Sequence, residues 1–131
     1  MLAAPPPSAN LPLQILVVDD EAPVRAVVAR ILARAGHIVA QAGDGMEALA
    51  RSNQEHWDLI ISDVTMPSLD GPNLIRQLRT RGIATPVILM TGRVDSDGLA
   101  HAQDSDTISV LAKPFDRATL LATVGAATRA N

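Results

Sequence analysis

Five side chains carry the chemistry legible in this sequence: Asp19, Asp20, Asp63, Thr91 and Lys113. They amount to three carboxylates, one hydroxyl and one ammonium. Each follows or closes a short apolar run, and the runs are QILVV, WDLIIS, PVILM and the stretch ending at Ala112. Carboxylates crowded together repel one another and need either raised pKa values or a cation. Hard oxygen ligands with no His or Cys among them select Mg²⁺, which binds through a few carboxylates and keeps some waters. With all three acids ionised, the two charges of Mg²⁺ and the one of Lys113 balance them. Asp63 can then stay unprotonated and approachable. A carboxylate can act as a covalent nucleophile toward phosphorus, and phosphoryl transfer asks mainly for positioning and charge neutralisation. The product would carry about two negative charges near neutral pH. The Thr91 hydroxyl could donate to one of the new oxygens, and its inward movement would be a switch.

The elements that must position these residues alternate strand and helix. Gln14–Val18 reads as a strand, followed by a helix over Pro23–Ala35 with Val24, Val27, Val28, Ile31, Leu32 and Ala35 along one face. Pro23 suits the first turn and Gly36 the stop. Ile38–Ala42 is the second strand, and Asp44 caps a helix running to about Ser52. Trp57–Ser62 is the third strand, residues 64–70 a Pro-containing loop, and Pro72–Thr80 a helix ended by Gly82. Pro86–Met90 is the fourth strand and Thr107–Ala112 the fifth. Asp116 caps a last helix with Leu120, Leu121 and Val124 inward. Between them, residues 93–106 are polar and acidic, with Leu99 nearly the only large apolar residue, which predicts a short or mobile fourth helix. Five apolar strands in alternation with five helices predict an α/β doubly wound fold, a parallel sheet covered on both faces. In such a sheet the carboxyl ends of the strands share one crevice, where ligands bind.

Length and composition set the frame. At 131 residues the chain fits one domain, and its 47% hydrophobic fraction is enough for a core that must rest on aliphatic residues, because Phe115 and Trp57 are the only aromatics. A net charge of −3 gives no basic surface for nucleic acid. Cysteine is absent, which excludes disulfides and thiolate sites and fits a reducing cytoplasm. No apolar run approaches the roughly 20 residues that cross a bilayer. Residues 1–12, with Pro5, Pro6, Pro7 and Pro12, read as a disordered leader to a domain over 13–131.

The stretches ILVVDDE (15–21) and DVTMPSLDG (63–71), Thr91 after PVILM, and Lys113-Pro114-Phe115 together resemble the bacterial response-regulator receiver family. The similarity covers about residues 13–128. Each piece is weak alone, and their order and strand-end placement make the signal strong. The resemblance implies a flavodoxin-like five-stranded fold with Asp63 as phosphoacceptor. It implies Mg²⁺ bound by Asp20, Asp63 and the Thr65 carbonyl, with Asp19 acting through a water. Lys113 matches the residue that contacts the phosphoryl group, Thr91 the switch hydroxyl, and the Lys113–Pro114 peptide is expected to be cis. The donor would be a phosphohistidine on a histidine kinase or a histidine phosphotransfer protein, and the output a changed face for a downstream protein. The domain would be a signalling receiver and not an enzyme beyond its own phosphorylation and dephosphorylation. The chain ends near the last helix, so no DNA-binding domain is expected to follow.

Three features depart from the family pattern. Val110 stands where an aromatic is usual, which alters the expected switching mode; Asp106-Thr107 replaces Gly-Ala; and 93–106 is unusually acidic. Arg93, near the pocket mouth, is a candidate contact for the phosphoryl group or a partner. Blander readings exist for every residue: Asp19 and Asp20 as helix caps, Thr91 as an ordinary strand residue, Lys113 as a surface lysine. Pro67, Asp70 and Gly71 read as structural, and His37, His56 and His101 as surface residues. Trp57, roughly 20 Å along the strand from Asp63, is expected at the opposite end of the core. The competing functions are the receiver piece of a hybrid histidine kinase, an aspartate-nucleophile phosphohydrolase of the haloacid-dehalogenase type, and a pseudo-receiver that is never phosphorylated. The hydrolase reading is weakened by Thr65, where those enzymes carry an acid/base Asp.

Overall fold

The structure is a computed structural model that describes residues 12–92 and 107–129. In chain order its elements are β1 (Gln14–Val18), α1 (Ala22–Arg34), β2 (Ile38–Ala42), α2 (Gly45–Gln54), β3 (Leu59–Asp63), α3 (Gly71–Thr80), β4 (Val87–Thr91), β5 (Ile108–Ala112) and α4 (Arg117–Arg129). The strands form one sheet in the order β2-β1-β3-β4-β5, with every neighbouring pair parallel. This is the α/β doubly wound, flavodoxin-like arrangement read from the sequence. The order reverses between β1 and β3, so the ligand crevice of such a sheet opens at their carboxyl ends.

Strand side chains alternate between faces, and the aliphatic runs use both. Leu16, Val18, Ile60, Val87 and Leu89 pack with Ala48 and Leu49 of α2 and Leu74, Ile75 and Leu78 of α3. Ile15, Val17, Leu59, Ile61, Ile88 and Met90 pack with Val28 and Leu32 of α1 and Leu120, Val124 and Ala127 of α4. Complete burial of one such side chain stabilises by about 1.5–3 kcal/mol, and β1, β3 and β4 carry them on consecutive residues. The strand ends are therefore held by a rigid centre.

Several boundaries differ from the sequence reading. β3 begins at Leu59 instead of Trp57 and includes Asp63. Just ahead of it, the Asp58 carboxylate accepts from the Gln14 amide at 2.8 Å, a side chain standing in for a ladder partner. The apolar face of α1 proves wider than its contact with the sheet: Val28, Ala29 and Leu32 are buried, while Val27 is 56% exposed. His37 is half-buried, not a surface residue, and its Nδ1 accepts from the Leu13 amide at 3.2 Å. His56 is exposed beside Asp58 at 3.4 Å. Trp57 is buried among the side chains of the α2 and α3 face and, with Asp58 and Gly82–Pro86, lines a hollow below the sheet. Leader residues 1–11, the stretch 93–106 with its expected helix, Arg93, His101 and Asp106 lie outside the described residues.

Candidate functional site

Strand register brings the five side chains together. Val18 pairs with Ser62, so Asp19 stands level with Asp63, and Thr91 pairs with Ala112, the residue before Lys113. Asp19 is fully buried, Asp63 and Thr91 nearly so, Lys113 half-buried, and Asp20 and Thr65 exposed. One carboxylate oxygen from each of Asp19, Asp20 and Asp63 lies within 4.8 Å of the others. The Lys113 ammonium donates to Asp63 Oδ1 at 3.1 Å and stands 3.8 Å from Asp19 Oδ2. The Lys113 amide donates to the Thr91 carbonyl at 2.7 Å, which ties the ends of β4 and β5 at that point. The Lys113–Pro114 peptide is cis.

Local bonds fix each acid. The Asp19 amide still pairs with β2, donating to the Ala42 carbonyl at 3.2 Å. Its Oδ1 accepts from the Glu21 amide at 2.9 Å, and its carbonyl accepts from Arg25 Nη1 at 2.7 Å. Asp63 Oδ1 also accepts from the Val64 amide at 3.0 Å. Behind Asp63 the chain turns through residues 64–70 with Ser68 at φ 72°, in the left-handed region. The turn closes where the Gly71 amide donates to the Val64 carbonyl at 2.9 Å, and Asp70 caps α3 by accepting from the Asn73 amide at 2.9 Å. A Cβ on Gly71 would sit 2.7 Å from both the Asp63 carbonyl oxygen and Leu89 Cδ2. The glycine is needed for close approach. A Cβ on Gly45 would likewise run into the Leu69 carbonyl, so the start of α2 leans on this loop.

Burial pushes the Asp19 carboxyl above its ordinary value, the Glu21 amide pulls the other way, and the nearby Asp63 and Asp20 charges push it further up against Lys113. Asp19 Oδ2 is buried with no hydrogen bond. A buried anionic oxygen without a hydrogen bond, inside a cluster of three carboxylates, fits a hard divalent cation. One ammonium alone leaves the cluster with excess negative charge.

Sequence reasoning did not single out Arg25 or Gly45. Arg25 carried no signal beyond its charge, and the need for glycine at 45 appears only once the loop 64–70 is placed against α2. Val110 is half-buried against the α2 and α3 core. Thr107 accepts from Arg79 Nη2 at 3.1 Å through its hydroxyl, a bond that the Ala usual at this position could not make. An apolar groove lined by Pro23, Val24, Val27, Ile31, Pro114 and Phe115 opens beside Lys113. Among the described residues no helix is long and apolar enough to cross a membrane.

Comparison with known proteins agrees with this geometry. Residues 15–125 match the model of the response regulator receiver domain. The response regulator MprA of Mycobacterium sp. (strain KMS) is 38% identical over 119 residues, covering 91% of this chain and 52% of the relative. The chain thus spans about half the length of the curated relatives it matches. The chemotaxis response regulator CheY4 of Vibrio cholerae aligns with a TM-score of 0.79 at 33% identity, covering 87% of this chain and 97% of that one. The receiver domain of sensor histidine kinase PA1611 from Pseudomonas aeruginosa PAO1, solved with a magnesium ion in its active-site cleft, aligns with a TM-score of 0.76 at 29% identity, covering 87% and 95%. With its residues 15–125 matched by the family model and its fold shared with solved receivers, this chain belongs to the response regulator receiver family of two-component signalling.

Proposed function

We propose that this domain, spanning residues 13–131 behind a leader of 1–12, accepts a phosphoryl group on Asp63. The donor would be a phosphohistidine of a histidine kinase or histidine phosphotransfer protein, in the cytoplasm. A carboxylate oxygen of Asp63 forms a bond to phosphorus as the bond from phosphorus to the imidazole nitrogen breaks, and the imidazole leaves with its electron pair. Asp20, Asp63 and the Thr65 carbonyl would hold Mg²⁺, with Asp19 acting through a water. The bound ion would offset the charge of the three carboxylates and of the incoming phosphoryl oxygens. Lys113 stands within hydrogen-bonding distance of Asp63 Oδ1 and is the protein's own cation for the added charge. Thr91 is the hydroxyl at the next strand end that would respond, with Val110 limiting any aromatic swing. The apolar groove suits a helix of the donor, because Lys113 forms part of its lining. The output would be a changed protein-binding face for a downstream protein.

The observation that carries this reading is the convergence of Asp19, Asp20 and Asp63 within 4.8 Å with Lys113 at 3.1 Å from Asp63. Its test is intact mass after incubation with Mg²⁺ and a small acyl phosphate. Wild type is expected to gain one phosphoryl mass and Asp63→Asn none. Equal gain in both would defeat the assignment. Turnover of a generic phosphomonoester would favour the hydrolase instead, although Thr65 offers no acid/base group. The likeness to the PA1611 receiver supports a second reading, in which the same phosphorylated domain is carried within a hybrid histidine kinase.

A further inference from the structure

Arg25 sits in the second turn of α1, outside the cluster of acids, yet its guanidinium reaches back over the β1–α1 connection. Nη1 donates to the Asp19 carbonyl at 2.7 Å, and Nε donates to Gln41 Oε1 of β2 at 3.0 Å. The Asp19 carbonyl lies just past the end of β1, where the ladder no longer supplies a donor. That carbonyl and the Asp20 amide belong to one rigid plane. Anchoring the oxygen therefore sets the rotation of the peptide unit from which Asp20 departs. The Asp19 amide and carboxylate are already tied, to Ala42 and Glu21. The Arg25 contact is the third restraint, and it bears directly on the orientation of the exposed Asp20.

We infer that Arg25 is a positioning residue for the cation site: by clamping the Asp19–Asp20 peptide between α1 and β2, it holds the Asp20 carboxylate in the arrangement that meets Asp19 and Asp63. The inference rests on the reading of these acids as the Mg²⁺ ligands. The planar fork of arginine is what allows Nε and Nη1 to grip two acceptors at once, and a lysine of equal charge offers a single point donor. Gln41 is the outer end of the clamp and carries no charge, so its loss separates the geometric role from the electrostatic one.

The test compares wild type, Arg25→Ala, Arg25→Lys and Gln41→Ala by calorimetric titration with Mg²⁺ at fixed ionic strength, and by amide hydrogen exchange at Asp20 and Glu21 in metal-free protein. Loss of groups that orient metal ligands typically weakens binding by about 10–100-fold. Arg25→Ala is expected to fall in that range with faster exchange at both amides. Arg25→Lys is expected to recover little of the loss, and Gln41→Ala to move in the same direction by a smaller factor. Wild-type affinity in Arg25→Ala, or full recovery in Arg25→Lys, overturns the inference. Should Arg25→Ala fail to fold, Gln41→Ala decides: unchanged affinity and exchange overturn it. Absence of Mg²⁺ binding and of phosphoryl gain in the wild type would overturn the underlying receiver reading as well. Variants that match a competent wild type would overturn this inference alone.

Discussion

The Lys113 ammonium stands 3.1 Å from Asp63 Oδ1 across a separation of 50 residues, and it belongs to the only lysine in the chain. The other ten Lys and Arg residues are all arginine. Lys113 thus holds the position that an incoming cation and a phosphoryl group would both compete for or use. Its removal is expected to act in opposite directions on the two. Lys113→Gln should bind Mg²⁺ a few-fold more tightly, because three carboxylates lose their internal cation. It should also acquire phosphate from a small acyl phosphate about a hundredfold more slowly, the loss typical of one preorganised donor to developing charge. Titration calorimetry and time-resolved intact mass read the two effects. Movement of both in one direction would contradict this role.

Asp19 is held above its ordinary pKa, first by burial. The folded state therefore binds a proton more tightly than the unfolded state, and metal-free stability falls as pH rises from the ordinary value of 3.8 through the raised folded value. Above that window the full penalty is present. Asp19→Asn keeps an oxygen for the Glu21 amide and removes the charge. In metal-free protein at neutral pH it is expected to raise Tm, on the order of 4 °C. The gain should vanish below the window, and saturating Mg²⁺ should narrow or reverse it. Thermal melts with and without chelator check both signs.

His37 works the other way. Burial lowers its pKa below 6.5, so the unfolded state binds the proton more tightly. Stability is expected to fall as pH drops through 6.5 toward the folded value. Protonation also converts Nδ1 from acceptor to donor and breaks its bond to the Leu13 amide. A bond of this kind is worth about 1 kcal/mol. Denaturant unfolding between pH 7.5 and 5.5 should show a decline of about that size, absent in His37→Phe.

Gly71→Ala puts a methyl 2.7 Å from the Asp63 carbonyl and from Leu89. Crowding of this kind typically costs about 1–3 kcal/mol, and the displaced backbone is that of the proposed acceptor, Asp63. Both stability and the rate of phosphoryl gain are expected to drop. Gly43→Ala is the matched control. Its Cβ would meet only ordinary contacts, at 3.5 Å and beyond, so its stability should change by less than about 0.5 kcal/mol.

Much of this architecture was legible in the residues. Five largely aliphatic runs, four of them leading into an acid, a hydroxyl or an ammonium, announced parallel strands and a common rim, because burial on both faces leaves no other home for uninterrupted Val, Ile and Leu. The caps at Asp44, Asp70 and Asp116 were likewise local chemistry. What stayed hidden depends on how elements lean together. Val27 reads as inward on helical spacing, yet the sheet covers a narrower arc of α1 than its apolar residues span. His37 looks like a surface histidine until the start of β1 is laid beside it. Arg25 is one arginine among ten until β2 brings Gln41 within reach.

On the proposed reading, the sheet itself carries the signal. Asp63 continues the side of β3 formed by Leu59 and Ile61, which rests on α1 and α4. Thr91 continues the side of β4 formed by Val87 and Leu89, which rests on α2 and α3. The group that would be modified and the hydroxyl that would answer it thus belong to opposite layers of a sheet only one strand thick. News of the donor, arriving over α1, would be broadcast from the far side of the molecule, leaving the docking groove and the output surface free to be occupied by different proteins.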